Sequence, residues 1–103
     1  MTQCKITVLE RNYYENLANE FCQQPPGPCP VFRKGQTYIY DHAGSGDKPQ
    51  GFCEHAWHDI YKDVILLCSG GGYEGWMKNQ HSNIVCCTDG IRPVVFKLEK
   101  AAS

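Results

Sequence analysis

The chain has 103 residues, enough for one domain with a single modest core and too few for two. Ten Lys and Arg stand against eleven Asp and Glu, a net charge of −1, with no basic stripe of the kind that phosphate-backbone binding needs, so nucleic acid is not an expected partner. No apolar stretch approaches the ~20 residues of a membrane span, and the start, MTQCKITVLERNYY, lacks the basic segment and apolar run of a signal peptide. These features predict a soluble, cytoplasmic protein with no membrane partner.

Cys4 to Arg11 alternates Cys4, Ile6 and Val8 with Lys5, Thr7 and Leu9, the period-two pattern of a half-buried strand. Asn12 followed by Glu15 resembles a capping box. Tyr14, Leu17, Ala18, Phe21 and Cys22 then recur as on one helical face, and Pro25-Pro26 ends that helix. In QQPPGPCP each proline removes a donor and restricts its neighbour, which places Cys29 in a stiff loop.

A second strand is predicted from Gly35 to Tyr40, and DHAGSGDKPQG reads as a flexible surface loop. From Cys53 to Cys68 the pattern is that of the main helix. Trp57, Ile60, Tyr61, Val64, Leu67 and Cys68 lie on one side, and His55, Asp59, Lys62 and Asp63 on the other. SGGGYEG closes it, with Trp76 and Met77 as an expected loop anchor.

Ile84 to Thr88 and Val94 to Glu99 read as two strands around Asp89-Gly90. A tight type I′ turn there would set Cys86 opposite Pro93, which has no N–H to give, so a bulge or a wider loop through Arg92 is expected. The order β-α-β-α-β-β implies a small single α+β domain, with an antiparallel or mixed sheet of about four strands and two helices.

Seven cysteines are the strongest chemical signal, and the odd count leaves at least one thiol unpaired in any disulfide scheme. In a reducing compartment thiols are the resting state. Cys53 falls at the start of the main helix, where unsatisfied N–H groups and the helix dipole favour a thiolate; it is the candidate catalytic nucleophile. Cys86 and Cys87, if in a strand, point to opposite faces of the sheet; Asp89 and Arg92 stand close enough in sequence to tune the one that meets solvent.

No CxxC pair occurs, which disfavours a preformed zinc knuckle. A site for a soft metal such as zinc, copper or iron assembled from Cys29, Cys53 and Cys86 or Cys87 across the fold stays open. His55, His58 and Asp59 have the i, i+3, i+4 spacing of a helical ligand set, although a polar helix face more often only meets water. His42 and His81 are weaker candidates in loops. The glycine run at 70–72 closes a helix and is followed by no GK[ST], so it is no phosphate cradle.

CKITVLER, GPCPVFRKGQ, GFCEHAWHDIY and CCTDGIRPVVFKLE together resemble a family of short, uncharacterised, cysteine-rich bacterial and archaeal proteins, sometimes found as tandem copies. The resemblance spans almost the whole chain. It implies that the marked segments form one unit and brings no reaction, ligand or catalytic residue with it; DHAGSGDK is the less typical part.

Two functional readings follow. In one, Cys29, Cys53, Cys86 and Cys87 converge for redox chemistry or soft-metal binding. In the other, the cysteines fill the core, and Tyr38, Tyr40, Trp57, Tyr73 and Trp76 line a groove for a small ligand, another protein or a second copy of the chain. The first predicts convergent thiols and the second scattered, buried ones.

Overall fold

The computed structural model describes residues 3–42 and 47–101. The elements are β1 (Gln3–Arg11), α1 (Glu15–Phe21), β2 (Thr37–Asp41), α2 (Glu54–Cys68), β3 (Ser82–Cys86) and β4 (Val94–Ala101). The four strands form one antiparallel sheet in the order β2-β1-β4-β3, and α2 packs across its inner face against β1, β3 and β4. This is the α+β domain that the alternation of element types implies. Part of the glycine-rich loop expected at DHAGSGDK, residues 43–46, lies outside the described residues.

Strand periodicity decides what is buried. Cys4, Ile6 and Val8 of β1 and Val94, Phe96 and Leu98 of β4 point inward and are almost wholly inaccessible. Lys5, Thr7, Lys97 and Glu99 turn to the half-exposed outer face, where Lys97 and Glu99 form an ion pair at 3.1 Å. Ala56, Ile60, Val64, Leu67 and Cys68 of α2 complete the core as one helical stripe. Phe32, in the loop after α1, inserts edge-on between Phe52 at 4.9 Å and Phe96 at 5.1 Å, pinning that loop to the sheet.

Three local expectations change. Asn12 does not cap α1. Its N–H donates to the Pro93 carbonyl and that of Tyr14 to the Ile91 carbonyl, so the chain keeps pairing with the segment before β4 and the helix begins later, with Tyr14 as N-cap. The apolar stripe of α1 is also not buried: only Ala18 is inaccessible, while Tyr14, Leu17 and Phe21 are exposed. Lastly, Trp76 is 79% exposed and anchors nothing. Tyr73 does so instead, its hydroxyl donating to the Asp63 carboxylate and its N–H to the Gln80 carbonyl.

Helix α2 closes as its glycines suggest. Gly70 adopts φ +91° and donates to the Leu67 carbonyl, and Gly71 donates to the Leu66 carbonyl, the paired bonds of a Schellman motif. At Gly72 a side chain would stand 2.8 Å from the Gln80 carbonyl oxygen, so the return toward β3 needs glycine for closeness rather than for φ.

Candidate functional site: a three-thiol cavity

At one end of α2 an open cavity of about 340 Å³ is walled by two loops, the helix start and the first residue of β4. Cys29, Cys53 and Cys87 all line it, together with Pro30, Val31, Phe32, Ala56 and Val94 and the polar side chains of His55, Asp59, Thr88, Asp89 and Arg92. Its size lies at the lower end of the range for small-molecule sites.

Each sulfur arrives by a different route. Cys29 sits between Pro28 and Pro30 on the loop that Phe32 nails into the core. Cys53 is the N-cap of α2, with extended φ −66° and ψ 131°, and its side chain makes no capping hydrogen bond. The first-turn N–H groups of the helix therefore face the cavity end without a side-chain acceptor from that position. Cys87 follows β3: its N–H donates to the Val94 carbonyl, and the Val94 N–H donates back to the Cys87 Sγ at 3.3 Å.

Carboxylates hold the wall in place. Asp59, on the second turn of α2, accepts from the Thr88 N–H at 2.9 Å and from its hydroxyl, clamping the loop after β3 to the helix. Asp89 Oδ1 accepts from the N–H groups of Ile91 and Arg92, and Oδ2 from the Arg92 Nε at 3.3 Å. Partial burial acts to raise the Asp89 carboxyl, but these N–H groups and the guanidinium outweigh it and hold the acid below its ordinary range. With Asp89 shaping it, the β3–β4 connection is a wide loop through Arg92, and Cys86 pairs with Val95 rather than facing Pro93.

Not every expected residue joins the cavity. Cys86 is exposed on the outer side, one residue out of phase with Cys87, as strand alternation requires. His58 lines a separate polar groove with Asp47, Lys48, Glu54 and Trp57. His55 and Asp59 line the thiol cavity and His58 does not, so the three are not gathered in one site. Among the described residues no group of three or more His, Cys, Asp or Glu side chains is arranged to hold a metal ion. His42 contacts the Tyr40 hydroxyl, and His81 Nδ1 is buried without a hydrogen-bond partner.

The remaining cysteines differ in kind. Cys4 is wholly inaccessible and Cys68 nearly so. Burial, reinforced by the neighbouring Cys68, pushes the Cys4 thiol up to about 12, and burial likewise raises Cys68. Cys22 ends α1.

Sequence reasoning missed the three parts that build the cavity around its sulfurs: Phe32, the Asp59 clamp on Thr88, and the Val94 N–H aimed at Cys87. A signal for the first was present in PCPVF, where a large aromatic follows a proline-stiffened turn. The other two are contacts between distant segments and leave no local pattern.

No protein-family model matches the chain, and no curated protein or solved structure matches it either, so a functional reading rests on the cavity itself.

Proposed function

We propose that the protein is a thiol-based redox protein whose working sulfurs are those of the cavity, Cys53 and Cys87 foremost with Cys29 beside them. The observation that carries this reading is the convergence of three thiols from residues 29, 53 and 87 on one open cavity, while the two core thiols are shut away behind it. Redox thiols need access for the reacting molecule and donors near the sulfur. The Val94 N–H and the open start of α2 are such donors. The segments GPCPVF, GFCEHAW and CCTDGIRPVV supply the cavity's cysteines.

The competing assembly-module reading draws less support. Tyr38 and Tyr40 are spent on core contacts with Phe52 and Trp57, Tyr73 is tied to Asp63, and Trp76 stands away in solvent.

The test is alkylation of anaerobically purified protein, mapped by mass spectrometry in the native and urea-unfolded states, with elemental analysis of the same sample. At least one of Cys29, Cys53 and Cys87 should react faster in the native protein than in the unfolded chain, and Cys4 and Cys68 only after unfolding. Cavity thiols no faster in the native state would remove the proposal. Stoichiometric zinc, copper or iron on them would replace it with metal binding.

A further inference from the structure

Accepting that the cavity is a redox site, its geometry also bears on the reaction and the substrate. We infer that the cavity performs dithiol–disulfide exchange with a small disulfide lacking negative charge, Cys53 attacking first and Cys87 resolving.

The roles follow from how each sulfur is held. Cys53 lines the cavity as the N-cap of α2, and its side chain makes no capping bond. Cys87 is fixed from two sides by its backbone pairing with Val94 and by the Val94 N–H on its sulfur, and the Thr88 clamp to Asp59 holds the adjoining loop against α2. A fixed sulfur with a donor suits the second, intramolecular step, where position matters more than collision frequency. Cys29, between two prolines, is the third sulfur of the lining.

The chemistry balances without further reagents. The Cys53 thiolate attacks one sulfur of R–S–S–R, the disulfide bond breaks, and one thiolate leaves and becomes RSH, giving a mixed disulfide on Cys53. The Cys87 thiolate then attacks the Cys53 sulfur and expels the second RSH. Two protein thiols are oxidised by two electrons, the small disulfide is reduced to two thiols, and the protons of Cys53 and Cys87 end on those products.

The walls restrict the substrate. Val31, Phe32, Ala56 and Val94 favour apolar arms, and a volume of about 340 Å³ excludes a large peptide. Among the described residues of the lining Asp59 and Asp89 outnumber Arg92, its one Lys or Arg, which is already engaged with Asp89. The lining therefore repels a dianionic disulfide.

Reduced wild-type protein is mixed with the neutral hydroxyethyl disulfide and followed by intact and peptide mass spectrometry. Wild type should lose the mass of two hydrogens and yield a Cys53–Cys87 cross-linked peptide. Cys87→Ser should stop at a hydroxyethyl adduct on Cys53, and Cys22→Ser, outside the cavity, should behave as wild type. At low salt, cationic cystamine should outpace anionic dithiodiglycolate by about 10-fold more on native protein than on unfolded chain, with the gap shrinking in high salt. A Cys53–Cys29 cross-link, a stable adduct in wild type, or an anionic preference would overturn this inference while leaving a reactive cavity. Failure of every cavity thiol to react would overturn the redox reading as well. Because wild type reports the cross-link by itself, misfolding of a variant does not blunt the result.

Discussion

The two ends of helix α2 place the same side chain in opposite conditions. Cys68, in its last turn, packs toward Cys4 of β1 inside the core, both sulfurs raised by burial. At the other end Cys53, Cys87 and Cys29 surround open space. The core pair lies within regular elements, where periodicity turns every second or fourth residue inward. The cavity trio lies where elements begin or stop: a helix cap, the residue after a strand, and a proline loop. A thiol beside spare backbone donors and open space has chemical use, whereas a thiol that strand or helix periodicity turns into the core behaves as a small hydrophobe.

Substitutions can break this contrast. The largest effect is expected from Phe32→Ala, because Phe32 is at once core and cavity wall. It should cost about 3–5 kcal/mol in urea unfolding, and the alkylation of Cys29 should lose its native-state character. A loss below about 1 kcal/mol would mean that the loop is not pinned by this ring.

Serine separates the two ends by sign. Cys4→Ser buries a hydroxyl at a site where the sulfur now donates to the Lys5 carbonyl only at 3.9 Å, and should cost about 1–3 kcal/mol. Cys53→Ser puts a preferred N-cap residue where no side-chain cap exists, and should gain up to about 1 kcal/mol while abolishing exchange. Paired urea melts decide it; a loss of the same size at both positions would erase the distinction.

The core end also differs on the alkaline limb. The Cys4 thiol is raised from 9.0 to about 12, so between these values the unfolded chain loses a proton that the folded one keeps. Stability from this group is full below about pH 9 and falls as pH rises toward 12, by about 1.4 kcal/mol per unit. Tyr73, raised to about 12 by burial and by its bond to Asp63, adds in the same direction. Urea melts across this range should show a shallower decline in Cys4→Ala, and an unchanged slope would assign the loss to other groups.

Much of the fold was legible because its signals are local. Alternation in CKITVLER and the stripe of Trp57, Ile60, Val64, Leu67 and Cys68 mark β1 and α2, although Tyr61, expected on that stripe, is exposed and Ala56 is buried in its stead, and the Pro93 objection to a tight hairpin foretells the wide loop around Asp89. The start of α1 was not legible, because Asn12 had to choose between capping a helix and pairing with Pro93, and the partner strand decides that choice. Within the site, opposite facing of Cys86 and Cys87 follows from strand geometry, whereas the separation of His58 from Asp59 depends on which side of α2 meets the loop after β3.

What the sequence determined by itself is the type and order of the elements, the inward-facing residues of β1, and the placing of Cys29 in a proline loop and of Cys53 at the start of α2, since each follows from backbone periodicity, capping and proline sterics. Only the tertiary structure decided that these two thiols share one cavity with Cys87 and that Cys86 is left outside it. That residues 29, 53 and 87 line one cavity depends on strand order, on Phe32 filling the core and on Asp59 reaching Thr88, and such long-range packing is written in no local stretch of chain.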